Sequence, residues 1–111
     1  PIATAQYFAT MFGATVLESI QTDGQSRVDL DVNGLTIFLA KANESTPDGP
    51  LTPYVGLDHF GLRVDDIDQA ALELKAKGAE FVMEPYQLRP GLKIAFVQVP
   101  GNIRVELLER G

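Results

Sequence analysis

His59 is the only histidine in this 111-residue chain, and the chain contains no cysteine. Both counts limit the metal and nucleophile chemistry that one copy can perform. A site with two histidines, a thiolate zinc site and a disulfide are all excluded within a single chain. We also find no Ser-His-Asp arrangement, phosphate-binding loop or dinucleotide-binding glycine motif. A metal held by His59 therefore needs oxygen ligands, or a ligand from outside this chain.

The composition is typical of a globular domain and excludes several function classes. Hydrophobic residues make up 45% of the chain and charged residues 22%, which fits one ordinary domain. The net charge of -6 disfavours a nucleic-acid partner. No apolar run approaches the roughly 18 residues that a membrane span needs. No signal peptide is visible, and the lack of cysteine fits a cytoplasmic protein.

The first part of the chain, residues 1–41, predicts one helix followed by three strands. Apolar side chains at i, i+3, i+4 and i+7 predict an amphipathic helix that ends at Gly13. Strand-like segments follow at residues 15–21, 27–32 and 35–40, and Asn33-Gly34 is typical of a two-residue hairpin turn. The helical apolar positions are Ala5, Phe8, Ala9 and Phe12.

The last part, residues 57–111, repeats this order after a loop at residues 42–56. The loop is rich in proline and glycine, and we interpret it as a linker. A strand with His59 comes first. A helix at residues 66–77 follows, with Asp65 or Asp66 as its cap and Gly78 as its end. Three further strands are predicted at residues 80–84, 92–99 and 103–109.

The repeated unit is a βαβββ module, and it determines the predicted fold class, α+β. The module is complete at residues 57–111, whereas residues 1–41 lack its first strand. A missing strand leaves an exposed sheet edge, which natural proteins usually cover. We therefore expect a homodimer in which edges or modules from two chains complete each other.

Three segments of the second half resemble the vicinal oxygen chelate superfamily, which includes glyoxalase I, methylmalonyl-CoA epimerase, extradiol dioxygenases and bleomycin-resistance proteins. These segments are residues 57–66, 76–81 and 95–109, which read LDHFGLRVDD, AKGAEF and AFVQVPGNIRVELLE. The first half is similar through its helix and Phe12-Gly13-Ala14. The resemblance implies paired βαβββ modules whose mixed sheet curls around a central cup, which would take a small-molecule ligand.

The resemblance also implies a site for one divalent metal, such as iron, manganese, nickel or zinc. His59 matches the ligand on the first strand of a module, and Glu106 matches the ligand on the last strand. Glu106 would then be the catalytic carboxylate that handles a proton. Two positions depart from the pattern, because Phe38 stands where a first-module carboxylate would align with Glu106, and another ligand would precede Pro1. These departures argue against a four-ligand site more than against a three-ligand site.

Each candidate residue also has an ordinary structural interpretation. A lone strand histidine is usually just hydrogen-bonded, and Glu106 could simply pair with Arg104 or Arg63 at the surface. Ligand-binding candidates are two aromatic side chains for the cup and two cations for an anionic group, namely Phe38, Tyr86, Arg89 and Arg104. We expect Tyr54 to serve only in linker packing.

Two functions therefore remain open. One is a metal-free cup that binds an apolar or aromatic compound, which Phe38 and the missing strand favour. The other is a metal-dependent lyase, isomerase or dioxygenase, which His59 together with Glu106 favours.

Overall fold

The predicted α+β class is confirmed by two helices and a largely antiparallel set of strands. The computed structural model describes residues 2–20, 26–40, 45–47 and 54–111. The chain forms two compact units, Pro1–Pro47 and Asp48–Gly111. The elements of the first unit are α1 (Ile2–Phe12), β1 (Thr15–Ile20), β2 (Ser26–Val32) and β3 (Leu35–Leu39). Those of the second are β4 (Phe60–Arg63), α2 (Ile67–Ala76), β5 (Glu80–Arg89), β6 (Leu92–Val99) and β7 (Ile103–Arg110).

The first unit is a three-stranded antiparallel sheet, in the order β1-β2-β3, with one helix. Strict alternation in β2 directs one set of side chains inward, and Val28, Leu30 and Val32 are buried as predicted. Ala5 and Phe8 are the buried residues of α1. That the first module lacks a strand in front of α1 stays a prediction.

The turn between β2 and β3 has the predicted hairpin geometry. Asn33 and Gly34 both have positive φ, 51° and 95°, as a type I′ turn requires. The Asp31 carboxylate accepts a hydrogen bond from the Gly34 N–H at 2.8 Å, which pins the turn to the end of β2.

The second unit is a complete βαβββ module with the sheet order β4-β7-β6-β5. β4 runs parallel to β7, and the remaining pairs are antiparallel. α2 buries Ile67, Ala71 and Leu74. The buried residues at alternate positions of β6 and β7 complete the core, and they are Ala95, Val97, Val99, Val105 and Leu107.

Both ends of α2 follow from their sequence. Of the two candidate caps, Asp66 is the one that caps the helix, accepting a hydrogen bond from the Gln69 N–H at 3.1 Å. Gly78 has φ +93°, and hydrogen bonds from Gly78 to Lys75 and from Ala79 to Leu74 complete a Schellman motif. The predicted end at Gly78 is therefore confirmed.

Two predicted boundaries in the second unit are wrong. β5 continues to Arg89 instead of ending at Glu84, so Arg89 lies in a strand and not in an extra loop. β5 is an edge strand with irregular register, and such a strand tolerates Pro85, which cannot donate to a ladder. At the other edge, β4 begins at Phe60, so His59 lies just before it.

Some predictions fall on residues that the structure does not describe. Most of the proposed linker at residues 42–56 is among them, so the linker and the domain boundaries stay predictions. In the described part of the chain, no helix is both long and apolar enough to cross a membrane.

Candidate functional site

The candidate site lies on the face of the second-unit sheet opposite its buried apolar positions. In the ladder between β6 and β7, Phe96 is paired with Glu106 and Gln98 with Arg104. Directly opposite residues share a face, and the intervening positions on both strands are the buried ones. We call this face, with Phe96, Gln98, Arg104 and Glu106, the polar face.

A glycine of β4 leaves room on the polar face beside Glu106. Gly61 is paired with Glu106 in the parallel ladder. A Cβ atom at position 61 would lie 2.5 Å from Cδ1 of Leu108 and 3.9 Å from Cβ of Glu106. Alternation along the chain places His59, two residues before Gly61, on the same side. Glycine thus leaves room for the side chains around Glu106.

His59 and Glu106, the two predicted metal ligands, lie side by side. Nε2 of His59 is 2.8 Å from Oε1 of Glu106. The His59 side chain is 29% exposed and that of Glu106 is 16% exposed, so the pair is mostly buried but reaches the surface. The structure brings the two residues together.

Asp58 engages the other nitrogen of the same ring, a contact that sequence reasoning missed. Nδ1 of His59 lies 2.6 Å from Oδ2 of Asp58, and the same oxygen accepts a hydrogen bond from Nη2 of Arg104 at 2.5 Å. Arg104 is thus bonded to Asp58, not to Glu106 as one interpretation of the sequence allowed. The only sequence signal for Asp58 was its position next to the single histidine.

Electrostatics favour the protonated imidazole. The hydrogen bond that His59 donates to Asp58 raises the pKa of His59 above its ordinary 6.5, and Glu106 raises it further, while desolvation opposes both. The hydrogen bond with His59, helped by Arg104, lowers the pKa of Asp58 below 3.8. A neutral imidazole has one N–H and can donate to only one carboxylate. The ring therefore attracts a second proton or a cation.

Phe96 supports this cluster from the middle of the sheet. Its ring is 5.0 Å from the His59 ring in an edge-on arrangement. Cζ of Arg104 lies 5.3 Å from the centre of the same ring, within the range of a cation–π contact. Phe96 thus packs against both the imidazole and the guanidinium that is bonded to Asp58.

Comparison with known proteins shows the family. The sequence model of the Glyoxalase/Bleomycin resistance protein/Dioxygenase superfamily matches residues 2–107. The chain belongs to this superfamily. The resemblance stated from residues 57–109 is therefore confirmed.

Individual relatives of the superfamily are more distant. A probable chloroplastic lactoylglutathione lyase from Arabidopsis thaliana is 42% identical over 57 residues, which is 50% of this chain and 16% of that protein. A glyoxalase family protein from Enterococcus faecalis is 25% identical, with a TM-score of 0.75, over 98% of this chain and 88% of its own. A glyoxalase I mutant from Zea mays is 24% identical, with a TM-score of 0.77, over 100% of this chain and 41% of its own.

His59 and Glu106, which the resemblance implies as metal ligands, stand together as two potential donors. Within residues 2–20, 26–40, 45–47 and 54–111, no group of three or more His, Asp or Glu side chains could hold a metal ion. Asp58 and Glu106 contact opposite nitrogens of His59, so they cannot converge on one ion. His59 and Glu106 offer one nitrogen and one oxygen donor.

The other ligand-binding candidates lie on other strands. Tyr86 and Arg89 lie on β5 opposite Ile94 and Leu92, which alternate with Phe96 on the same face. The Tyr86 side chain is exposed. Phe38 belongs to the first unit, where it is exposed on β3.

Tyr54 and Arg104 make contacts of their own. The hydroxyl group of Tyr54 donates a hydrogen bond to the Leu57 carbonyl, which fits the local packing expected for it. Nε of Arg104 is buried and has no hydrogen-bond partner among the described residues. The guanidinium of Arg104 instead contacts Asp58 and the Phe96 ring.

Proposed function

We propose that this chain is a small-molecule-binding domain in which His59 and Glu106 supply two ligands of a divalent metal. With the metal, it would act on a small oxygenated molecule as a lyase, isomerase or dioxygenase. One observation carries the proposal. Nε2 of His59 and Oε1 of Glu106 lie 2.8 Å apart, while Nδ1 of the same ring is held by Asp58.

The donor chemistry of this pair suits a divalent cation. When Nδ1 donates its proton to Asp58, the neutral ring directs the Nε2 lone pair at a carboxylate, and a cation between them stabilises both. Imidazole and carboxylate ligands suit iron(II), manganese, nickel and zinc. Because a catalytic metal usually keeps about three protein ligands, a further ligand must come from outside the described set.

The chemistry follows from these donors. A divalent metal would supply Lewis acidity toward an oxygen-rich substrate. Glu106 is the side chain that we propose to move a proton as well, because its carboxylate lies beside His59 and remains 16% exposed. The Arabidopsis relative, described as a probable lactoylglutathione lyase, favours a lyase among the three reaction classes.

Substrate contacts would come from the same face. Tyr86 offers an exposed aromatic ring, and Arg89 offers a guanidinium that can bind a carboxylate or phosphate through two hydrogen bonds. Phe38, exposed on β3 of the first unit, is a separate ligand-binding candidate. Arg104, the fourth residue predicted to bind ligand, donates a hydrogen bond to Asp58.

A metal-free ligand-binding protein is the second candidate. Phe38 favours it, because an apolar ring stands where the repeat aligns a carboxylate with Glu106, and 66% of its surface is exposed. An exposed phenylalanine fits the binding of an apolar or aromatic compound better than metal ligation.

Elemental analysis and thermal melting separate the two functions. The protein should be purified without chelators, analysed for metal, and melted with and without added manganese, nickel, iron or zinc. We expect bound metal near one ion per chain and a higher Tm with at least one metal, because a ligand that binds only the native state stabilises it. No bound metal and no change in Tm would reject the metal-dependent function and leave metal-free binding.

We also propose a cytoplasmic homodimer. The absence of cysteine fits a reducing compartment. β5 is an edge strand that carries three exposed apolar side chains, Val82, Tyr86 and Leu88, and natural proteins usually cover such edges. Light scattering at micromolar concentration should give the mass of two chains, and the mass of one chain would contradict the dimer.

A further inference from the structure

We infer that Asp58 and Arg104 form a positioning pair that holds the His59 ring so that Nε2 faces Glu106. The orientation of the ring rests on geometry alone, whereas its consequence for metal affinity rests on the proposed function. Neither residue is proposed to touch a reacting atom. Both act through His59.

The first step is the contact of Asp58 with the ring. Oδ2 of Asp58 lies 2.6 Å from Nδ1 of His59, opposite the nitrogen that faces Glu106. A hydrogen bond at Nδ1 prevents the ring from flipping about its Cβ–Cγ bond, because a flip would take Nδ1 away from its acceptor. Histidine ligands of metals are commonly oriented in this way by a carboxylate on the second nitrogen.

The second step is the anchoring of Asp58 itself. Asp58 is 42% exposed, so its side chain would lose considerable rotamer freedom when it holds the ring. Nη2 of Arg104 donates to the same Oδ2 at 2.5 Å, a charge-assisted bond that is stronger than a neutral one. Arg104 lies on a central strand, and only 23% of its side chain is exposed. Its hydrogen bond therefore fixes Asp58 relative to the sheet.

The third step is the fixation of Arg104. Its guanidinium lies 5.3 Å from the Phe96 ring centre, and its Nε is buried without a hydrogen-bond partner in the described residues. A buried donor without a partner carries a desolvation cost, which the contacts to Asp58 and Phe96 must offset. An arginine held at that cost has a positional role that an exposed lysine would not fill.

The single histidine makes the test unambiguous, because every imidazole signal in an NMR spectrum belongs to His59. At slightly acidic pH both nitrogens of the His59 ring carry a proton in the metal-free protein. We expect a downfield Nδ1–H resonance in the wild type, lost in Asp58→Ala and weakened in Arg104→Gln. The Nε2–H resonance should persist in both variants, because Glu106 remains in place.

Matched controls exist on the same elements. Asp65→Ala removes an exposed carboxylate from the turn before α2, and Arg110→Gln removes an exposed guanidinium from the end of β7. Both should keep the wild-type imidazole spectrum. An Nδ1–H resonance that survives in Asp58→Ala, or is lost equally in both controls, would overturn the positioning role.

Metal affinity gives the second readout, with manganese or nickel as the probe in calorimetry. Loss of an outer carboxylate typically weakens binding by about 10–100-fold, and we expect that loss in Asp58→Ala, a smaller one in Arg104→Gln and none in the controls. Unchanged affinity in Asp58→Ala would reject the effect on metal. If the wild type binds no metal, the proposed function fails, and the NMR result still decides whether Asp58 holds the ring.

Discussion

His59 and Glu106 are 47 positions apart in the chain, yet Nε2 of the imidazole lies 2.8 Å from Oε1 of the carboxylate. The contact arises because β4 runs parallel to β7 with Gly61 opposite Glu106. A parallel neighbour requires a crossover connection, and α2 with the hairpin of β5 and β6 provides it. The complete module therefore brings its first and last strands together.

Replacing Glu106 with glutamine should weaken metal binding. The variant keeps the shape of the side chain but removes the charge that balances a cation, so we expect affinity to fall by more than about tenfold. Calorimetric titration with manganese, nickel or zinc measures the change. Glu80→Gln, at an exposed position of β5, is the matched control. Equal affinities of the wild type and Glu106→Gln would remove Glu106 from the set of ligands.

The contribution of His59 to stability should depend on pH with a defined sign. Its pKa is raised in the folded state, by Asp58 first and then Glu106, so the folded protein holds the proton more tightly than the unfolded chain. The stabilisation is fully present below the ordinary pKa of 6.5 and is lost as the pH rises through the raised value.

Urea unfolding of the metal-free wild type and of His59→Gln from about pH 5 to about pH 9 measures this contribution. The difference in unfolding free energy should be largest at the acidic end and shrink toward the alkaline end. Asp58 has a lowered pKa, so its own stabilisation is present above 3.8 and is lost as the pH falls through the lowered value. A difference that grows with rising pH would contradict the role of the two carboxylates.

Asp66→Ala should destabilise the second unit. The Asp66 side chain accepts the Gln69 N–H at the start of α2, and loss of such a cap costs about 0.5–2 kcal/mol. Asp65→Ala removes a neighbouring carboxylate that does not cap the helix, and surface changes of that kind stay within about 0.5 kcal/mol. Chemical denaturation of both variants tests this, and equal losses would show that general charge effects outweigh the cap.

Gly61→Ala should strain the sheet beside the site. The added methyl group would lie 2.5 Å from Cδ1 of Leu108. Because that atom is the end of a flexible side chain that can move aside, we expect a cost near the lower end of the about 1–3 kcal/mol typical of overpacking. Leu108→Ala removes the obstructing atom, so Gly61→Ala should cost less in that background. A double-mutant cycle of unfolding free energies measures the coupling, and strictly additive effects would show that Leu108 is not the obstacle.

Local patterns in the sequence determined most of the elements of this protein. Alternation in β2, the asparagine and glycine of its hairpin, and the cap and glycine stop of α2 all act within a few residues, so their outcome can be predicted from short segments. The pairing of His59 with Glu106 was also predictable, through the repeated module and the family resemblance. Pattern alone, however, supplied no distance and no contact between the two side chains.

Tertiary structure decided the remainder of the site. Asp58 is one residue from His59 and 46 from Arg104, and only the folded sheet shows that a single carboxylate oxygen meets both. The extension of β5 through Pro85 depends on the position of that strand at the edge of the sheet, which no local signal encodes. Residue types defined the available chemistry, whereas strand order and register determined which groups meet, because contacts between distant segments depend on the whole sheet.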